Sequence, residues 1–132
     1  MDRLQILFVE NDLKIQERMQ RALGQVFTVE CVASITEAKS YLETSVPDIL
    51  ISEVVVGLES GLDLCRYVRN VPNFRSLPIM LLTSLASVQD KVAGFVAGAD
   101  DYVIKPCDAH YLMARIRLLS HIKRLERYIA II

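Results

Sequence analysis

The chain has 132 residues, of which 52% are hydrophobic and 23% are charged, and its formal net charge is −1. This length suits one folded domain with a hydrophobic core, and the composition excludes a disordered protein. No apolar run approaches the length of a membrane span and the N-terminus lacks a secretory pattern, so we expect a cytoplasmic protein without a membrane partner. Cys31, Cys65 and Cys107 lack metal-ligand spacing and are expected to be reduced thiols.

Five short apolar runs alternate along the chain with segments of helical periodicity. The runs are LQILFV (4–9), FTVECV (27–32), DILISE (48–53), PIMLLT (78–83) and DYVI (101–104). They are almost continuously apolar, which is typical of strands in a parallel sheet covered by helices on both faces. The pattern therefore predicts a doubly wound α/β domain built from five repeats of strand and helix.

The first helix is predicted between the first two strands. Four apolar residues recur there at helical spacing, namely Leu13, Ile15, Met19 and Leu23. Gly24 follows directly and is expected to end the helix, because glycine adopts the left-handed terminal conformation most readily.

Two later helices are predicted from their capping residues. Ser34 is followed three residues later by Glu37, and Ser87 is followed at the same spacing by Asp90. In such pairs the serine hydroxyl accepts from a free amide of the first turn, and the acid supplies a further acceptor. The second and fourth helices are therefore expected to begin after these serines.

Chemistry in such a sheet is expected beyond the carboxyl ends of the strands, where loops and helix N-termini converge. The residues at these ends are Glu10 and Asn11 after strand one, Glu53 after strand three, Thr83 and Ser84 at strand four, and Lys105-Pro106 after strand five. Together they predict an acidic pocket that contains one lysine.

This arrangement resembles the receiver domain of two-component response regulators over about residues 4 to 120. The similarity rests on the spacing of four segments, ILFVEND, PDILISE, PIMLLTS and GADDYVIKPC. It implies the flavodoxin-like (CheY-like) fold, a five-stranded parallel sheet in the order 2-1-3-4-5 with five helices. It also implies phosphoryl transfer from a histidine kinase in the presence of Mg²⁺, after which the domain changes its docking face.

The resemblance implies a role for each residue of the pocket. In chain order, the matched positions are Glu10 and Asn11 for the acidic pair that binds the metal, Glu53 for the phospho-acceptor, the Val55 carbonyl for the metal, Thr83 for the switch hydroxyl, Tyr102 for the switch aromatic and Lys105 for the phosphate contact. These types suit the chemistry, because the nucleophile is a carboxylate, Mg²⁺ prefers oxygen ligands, and a lysine and a hydroxyl hold phosphoryl oxygens.

Three positions depart from the family pattern. Asn11 stands where an aspartate would contact the metal, so a Mg²⁺ site is expected to be weak at most. Glu53 adds a methylene to the acceptor, and a misplacement of about an ångström is expected to cost on the order of a hundredfold in rate. Its longer carboxylate is expected to reach Lys105 and to imitate part of the phosphorylated state. Gly57 replaces a proline of the family, so the loop after Glu53 is expected to be less restrained.

Each of these residues also has a purely structural interpretation. Glu10 and Asn11 are alternatively caps of the first helix, since asparagine is a favoured N-cap residue. Thr83 is common in strands, Tyr102 suits core packing, and a lysine such as Lys105 is usually a surface charge.

Two aspartates are alternative phospho-acceptors, and one other function fits the architecture. Asp48 begins its strand and is expected at the opposite end of the sheet, and Asp12 is also disfavoured. A flavin-binding redox protein of this architecture would need a phosphate loop rich in glycine and hydroxyl groups after strand one. The segment VENDLK is acidic instead, so we reject the flavin function.

The segment DDYVIKPCDAHYLMARIRL resembles family members that pair through the fourth helix, fifth strand and fifth helix. Lys91, Asp101 and Arg115 match charged positions of that face, although single surface ion pairs contribute little. The expected partners are a histidine kinase, an output domain or protein, and a second copy bound through this face and the C-terminal helix. The five basic residues after position 114 are interpreted as a solvated helix face, so no direct nucleic-acid partner is expected.

One long helix is predicted from about Asp108 to the end of the sequence. Its apolar positions recur at intervals of three or four and are Leu112, Ile116, Leu119, Ile122, Leu125, Ile129 and Ile132. About 24 helical residues span roughly 36 Å, more than is needed to cover one sheet face. Residues 1–120 are therefore assigned to the receiver domain, and residues 121–132 to an extension that links to an output domain or dimerises. The spacing from Ile122 onward is that of a two-stranded seam.

We therefore predict a signal-transduction domain of a phosphorelay system that is not an enzyme, beyond at most weak phosphoryl transfer and autodephosphorylation. In this prediction it is a pseudo-receiver, a regulatory protein-interaction module in which Glu53 replaces the phospho-accepting aspartate. The alternative is a functional receiver that a histidine kinase phosphorylates slowly at Glu53.

Overall fold

A computed structural model describes the backbone over residues 3–131 and the side chains over residues 3–126. The strands in this range are β1 (Gln5–Val9), β2 (Thr28–Val32), β3 (Ile49–Ser52), β4 (Val55–Val56), β5 (Glu59–Ser60), β6 (Ile79–Thr83) and β7 (Asp101–Ile104). The helices are α1 (Leu13–Leu23), α2 (Ile35–Thr44), α3 (Gly61–Asn70), α4 (Val88–Ala97) and α5 (Ala109–Ile131). Over the described residues, no helix is both long and apolar enough to cross a bilayer.

Five strands form one parallel sheet in the order β2-β1-β3-β6-β7. The short strands β4 and β5 pair with each other as a separate antiparallel hairpin. When the strands of the main sheet are counted alone, their order is 2-1-3-4-5. The predicted doubly wound CheY-like fold is therefore confirmed.

Neighbouring residues along the central strands face opposite layers of the domain. Leu7, Leu50 and Leu81 belong to the core under α2, α3 and α4. Phe8, Ile51 and their neighbours belong to the core under α1 and α5. Because both faces are covered, every residue of β3 and β6 is buried, which is why these strands are apolar up to their last residues, Ser52 and Thr83.

The predicted starts of α2 and α4 are confirmed. The Ser34 hydroxyl accepts from the Glu37 N–H at 3.1 Å, and the Ser87 hydroxyl accepts from the Asp90 N–H at 3.0 Å. Each serine thus satisfies an amide that has no partner within its helix.

The predicted end of α1 is wrong in its conformation. Gly24 has φ −65° and ψ −15°, which is right-handed helical geometry, and its N–H donates to the Gln20 carbonyl at 2.8 Å. The helix therefore closes without a left-handed residue. Leu13, predicted on the apolar face, is 66% exposed, whereas Leu23 is buried.

The N-cap of α1 is Asp12. Its carboxylate accepts from the N–H groups of Lys14 and Ile15 at 2.8 and 3.4 Å. The interpretation of Asn11 as the cap is therefore wrong. Asp12 therefore has a structural role at the start of α1.

The long last helix is confirmed. It begins at Ala109, and the Asp108 carboxylate accepts from the N–H groups of His110 and Tyr111 at 2.8 and 3.2 Å. The first three predicted apolar positions are buried against the sheet, and these are Leu112, Ile116 and Leu119. Ile122 and Leu125 are 42% and 48% exposed. The side chain of Ile129 and all of Ile132 lie outside the described residues.

Candidate functional site

One lysine lies between two buried carboxylates at the carboxyl edge of the sheet. Lys105 Nζ is 3.0 Å from Glu10 Oε1 and 3.7 Å from Glu53 Oε1. Glu10 is only 4% exposed and Glu53 only 9%. The acidic pocket with one lysine, predicted from strand ends alone, is therefore formed.

These three residues lie together because each directly follows a strand of the parallel sheet: Glu10 follows β1, Glu53 follows β3 and Lys105 follows β7. Val9 and Ser52 are register partners in β1 and β3, so Glu10 and Glu53 follow them side by side. The Glu53 N–H donates to the Val9 carbonyl at 3.0 Å, and the Lys105 N–H donates to the Thr83 carbonyl at 2.8 Å. These backbone contacts hold the three charged groups at one point of the edge.

The second oxygen of each carboxylate is held by the backbone. Glu10 Oε2 accepts from the Asp12 N–H at 3.1 Å, and Glu53 Oε2 accepts from the Val54 N–H at 2.7 Å. In each residue, one oxygen thus faces Lys105 and the other an amide. This pattern satisfies two buried negative charges, which would be costly without such partners.

Asn11 and Val55, the other two predicted metal ligands, have contacts elsewhere in the chain. The exposed Asn11 amide donates to the Ala33 carbonyl at 3.4 Å, and Val55 lies opposite Ser60 in the β4–β5 hairpin. Among the described residues, no group of three or more His, Cys, Asp or Glu side chains is placed to hold a metal ion. Mg²⁺ prefers near-octahedral oxygen coordination. The Glu10 and Glu53 carboxylates, which already contact Lys105, do not by themselves provide this coordination.

The loop after Glu53 is ordered by a tight turn. Gly57 has φ 63°, the left-handed region that glycine favours, and it joins β4 to β5 by a two-residue connection. The Glu59 carboxylate then accepts from the Ile35 N–H at 3.1 Å, which ties the hairpin to the start of α2. A proline, whose φ is fixed near −65°, could not make this turn. The lower restraint of the loop stays a prediction.

The two predicted switch residues meet at Leu85. Thr83 is fully buried, and its hydroxyl oxygen accepts from the Leu85 N–H at 3.3 Å. The Tyr102 hydroxyl donates to the Leu85 carbonyl at 2.8 Å. Both side chains therefore contact the segment that joins β6 to α4.

Tyr102 also packs beneath α4. Its ring lies 6.4 Å from that of Phe95, and a Cβ added to Gly94 would approach it to 2.9 Å, so this packing requires glycine. Burial raises the pKa of Tyr102, and the charges of Asp90 and Glu53 raise it further. The tyrosine therefore contacts α4 and lies within electrostatic range of Glu53.

Of the three predicted interface charges, two bind each other within the chain. Arg115 donates to both Asp101 oxygens, at 2.5 and 2.9 Å. The hydrogen bond with Asp101 is the main reason that the pKa of Arg115 is raised. Lys91 lies exposed on α4. Asp101 and Arg115 are therefore paired with each other within the chain.

An apolar surface on α4 was not predicted. The exposed residues are Val88 (71%), Val92 (54%), Phe95 (49%) and Val96 (80%). Their spacing is that of a single helix face, which in a sequence usually indicates the core. The buried face of α4 instead contains the small residues Gly94 and Ala97. We refer to these four exposed residues as the α4 surface.

Asp48 lies at the other edge of the sheet, as predicted. Its Oδ2 accepts from the Gln5 N–H at 2.7 Å, where β1 begins. It therefore takes no part in the Glu10–Lys105–Glu53 cluster.

Comparison with known proteins agrees with this fold. Residues 6–117 match the family model described as the response regulator receiver domain. The response regulator MprA of Mycobacterium ulcerans is 37% identical over 124 residues, which cover 93% of this chain and 53% of that protein. MprA of Mycobacterium leprae is 38% identical over 117 residues, 88% of this chain and 50% of that protein. This chain thus spans about half the length of these curated relatives.

Solved structures of receiver domains have a fold similar to that of this chain. The signal receiver domain of a signal transduction histidine kinase from Syntrophus aciditrophicus has a TM-score of 0.82 and 32% identity, covering 89% of this chain and 90% of that one. The BeF3-activated receiver domain of Klebsiella pneumoniae RstA has a TM-score of 0.79 and 29% identity, covering 88% and 97%. Fold and site define a signalling domain of the two-component type. The chain belongs to the response regulator receiver domain family.

Proposed function

We propose that this receiver works as a regulatory protein-interaction module, with Glu53 in the position of the phospho-acceptor. The observation that supports the proposal most directly is the state of the Glu53 carboxylate. One oxygen accepts from the Val54 N–H at 2.7 Å and the other lies 3.7 Å from Lys105. The residue therefore already supplies the negative charge that Lys105 would otherwise find on a phosphoryl group.

The same contacts oppose efficient phosphoryl transfer. Lys105 is shared between two carboxylates, the nearer being Glu10 at 3.0 Å. A phosphoryl group would have to compete with Glu10 for the lysine, and the extra methylene of Glu53 displaces the attacking oxygen. Any Mg²⁺ is expected to bind weakly, since Asn11 lacks a charge and Lys105 neutralises the carboxylates.

Tyr102 connects the pocket to a surface for partners. The charge of Glu53 acts on the tyrosine, whose ring packs against Phe95 of the α4 surface. Exposed apolar patches commonly mark binding sites for other proteins. Output domains or proteins, a histidine kinase and a second copy of the chain are the partners proposed for the face made by α4, β7 and α5. We place the protein in the cytoplasm.

The alternative is a functional receiver that a histidine kinase phosphorylates slowly at Glu53. One observation favours it, namely that Glu53, Lys105 and the strand that ends in Thr83 meet at one edge of the sheet. In that reaction a Glu53 oxygen would attack the donor phosphorus, and the donor's bond to the phosphoryl group would break.

Incubation with acetyl phosphate and Mg²⁺, followed by intact mass measurement, tests the proposal. We expect no substantial gain of a phosphoryl group by the parent protein. Glu53→Asp combined with Asn11→Asp is expected to gain one, and Glu53→Gln serves as the control that lacks a nucleophile. Rapid, near-stoichiometric phosphorylation of the parent, absent in Glu53→Gln, would refute the proposal and establish the alternative.

A further inference from the structure

The helix α5 carries two apolar stripes, and only one of them faces the sheet. The buried stripe contains Leu112, Ile116 and Leu119, which are at most 6% exposed. The second stripe is exposed and contains Tyr111 (51%), Leu118 (52%), Ile122 (42%) and Leu125 (48%). With 3.6 residues per turn, the two stripes lie roughly 100° apart around the helix. We call the second set the α5 seam.

We propose that the α5 seam binds the same seam of a second copy of this chain in a parallel, in-register coiled coil. From Tyr111 the seam residues follow at heptad intervals of seven, four and three, and the core position between Tyr111 and Leu118 is taken by Arg115, which is bound to Asp101. Ile122 then occupies position a, and Leu118 and Leu125 occupy position d. Isoleucine at a with leucine at d favours two parallel strands. The sequence places Ile129 at the next a position.

An ionic contact fixes which side of the helix faces outward. Lys123, next to Ile122, is only 15% exposed and its Nζ lies 2.9 Å from Asp100 Oδ1. Asp100 is itself held by Arg69 at 2.8 Å and by the Ile79 N–H at 2.9 Å. The helix is therefore attached to the sheet beyond the last buried leucine. The seam at Ile122 and Leu125 is held away from the domain by this attachment.

The charges on α5 fit a second copy. Four basic residues of this helix fall outside the seam at heptad positions b, c and f, and these are Arg117, Lys123, Arg124 and Arg127. Two helices of like charge can then pair without bringing these groups together. His121 falls at g and Glu126 at e, and in a parallel pair each g residue faces the e residue five positions later in the partner.

The inference names one partner of the proposed interaction module, but it does not depend on the chemistry of Glu53. It also places the contact on the α5 seam and not on the α4 surface. Phosphorylation of Glu53 would refute the proposed function and leave the coiled coil intact. Loss of the coiled coil would leave the proposed function untouched.

Sedimentation of the whole chain up to about 100 µM tests the pairing, since dimer formation depends on protomer concentration. We expect a reversible dimer for the parent and at least a tenfold weaker association for Ile122→Lys combined with Leu125→Lys. Both side chains are exposed in the single chain, so the thermal midpoint of the diluted monomer should not change. Arg124→Ala, outside the seam, is the matched control and should associate like the parent.

Cysteine cross-linking tests the orientation. Under a mild copper–phenanthroline oxidant, Leu125→Cys at position d should form a disulfide-linked dimer, whereas Arg124→Cys at position c should not. The parent measures the background from its own three cysteines. A monomeric parent, a dimer that survives the double lysine change, or equal cross-linking at both positions would overturn the inference. Loss of the dimer in Val92→Lys combined with Val96→Lys would also overturn it, because the contact would then lie on the α4 surface.

Discussion

Replacement of Lys105 by methionine should destabilise the domain, because it leaves two buried carboxylates without their cation. Lys105 lies 3.0 Å from Glu10 and 3.7 Å from Glu53, and the two acidic side chains are 5% and 12% exposed. Methionine keeps most of the aliphatic volume and removes only the charge. The change therefore isolates the electrostatic contribution of the ammonium group.

The expected magnitude follows from these distances. With an effective dielectric constant of about 20, each contact corresponds to an attraction of roughly 5 kcal/mol. Desolvation of the lysine and repulsion between the carboxylates offset much of this, and removal of one partner from a buried pair typically costs about 3 kcal/mol or more. For a domain of this size, about 3 kcal/mol lowers the thermal midpoint by roughly 10 °C.

Urea and thermal unfolding measure the effect. Lys91→Met is the matched control, since Lys91 is exposed on α4, and its free energy of unfolding should change by no more than about 0.5 kcal/mol. Glu53→Gln added to Lys105→Met should restore part of the lost stability, because one of the two uncompensated charges disappears. If Lys105→Met is as stable as Lys91→Met, the ammonium group does not hold the pocket together and the reasoning is refuted.

Three further predictions concern the metal, a buried thiol and a helix cap. Titration calorimetry should show weak Mg²⁺ binding that Asn11→Asp strengthens, and tight binding unaffected by that change would disprove our ligand assignment. Burial raises the pKa of the Cys65 thiol from 9.0 to about 11, so the unfolded chain releases this proton first and stability should fall as pH rises between 9 and 11. The parent should lose about 2 kcal/mol more over that interval than Cys65→Ala, and parallel profiles would contradict this. Asp12→Ala should cost about 1 kcal/mol in chemical denaturation, whereas an equal cost for Asn11→Ala would contradict the assigned cap.

The positions at the sheet edge were predictable because they depend on strand ends. In a parallel sheet with strands in register, residues that follow neighbouring strands must lie side by side. The sequence therefore predicts that Glu10, Glu53 and Lys105 lie at one edge of the sheet. The actual partners of each oxygen were not predictable, because the Val54 and Asp12 amides depend on local backbone geometry.

The α4 surface shows where pattern reasoning fails. Val88, Val92 and Val96 have the spacing of a core face, yet they are exposed, because Gly94 permits a closer approach of the helix to Tyr102 and Leu81. The backbone conformation of a glycine is also not predictable from the sequence alone, as Gly24 and Gly57 show. Each glycine allows a left-handed conformation, but only Gly57 adopts one.

The sequence by itself determined the alternation of strands and helices, the family resemblance and the length of α5, because these depend on hydrophobic periodicity and on residue types at fixed spacing. Tertiary structure decided which apolar stripe of α5 faces the sheet, since Leu118 and Leu119 are adjacent in the chain and differ only in what lies opposite them. It also decided that Lys105 is nearer to Glu10 than to Glu53. These distances result from packing between elements far apart in the chain, so no local sequence pattern predicts them.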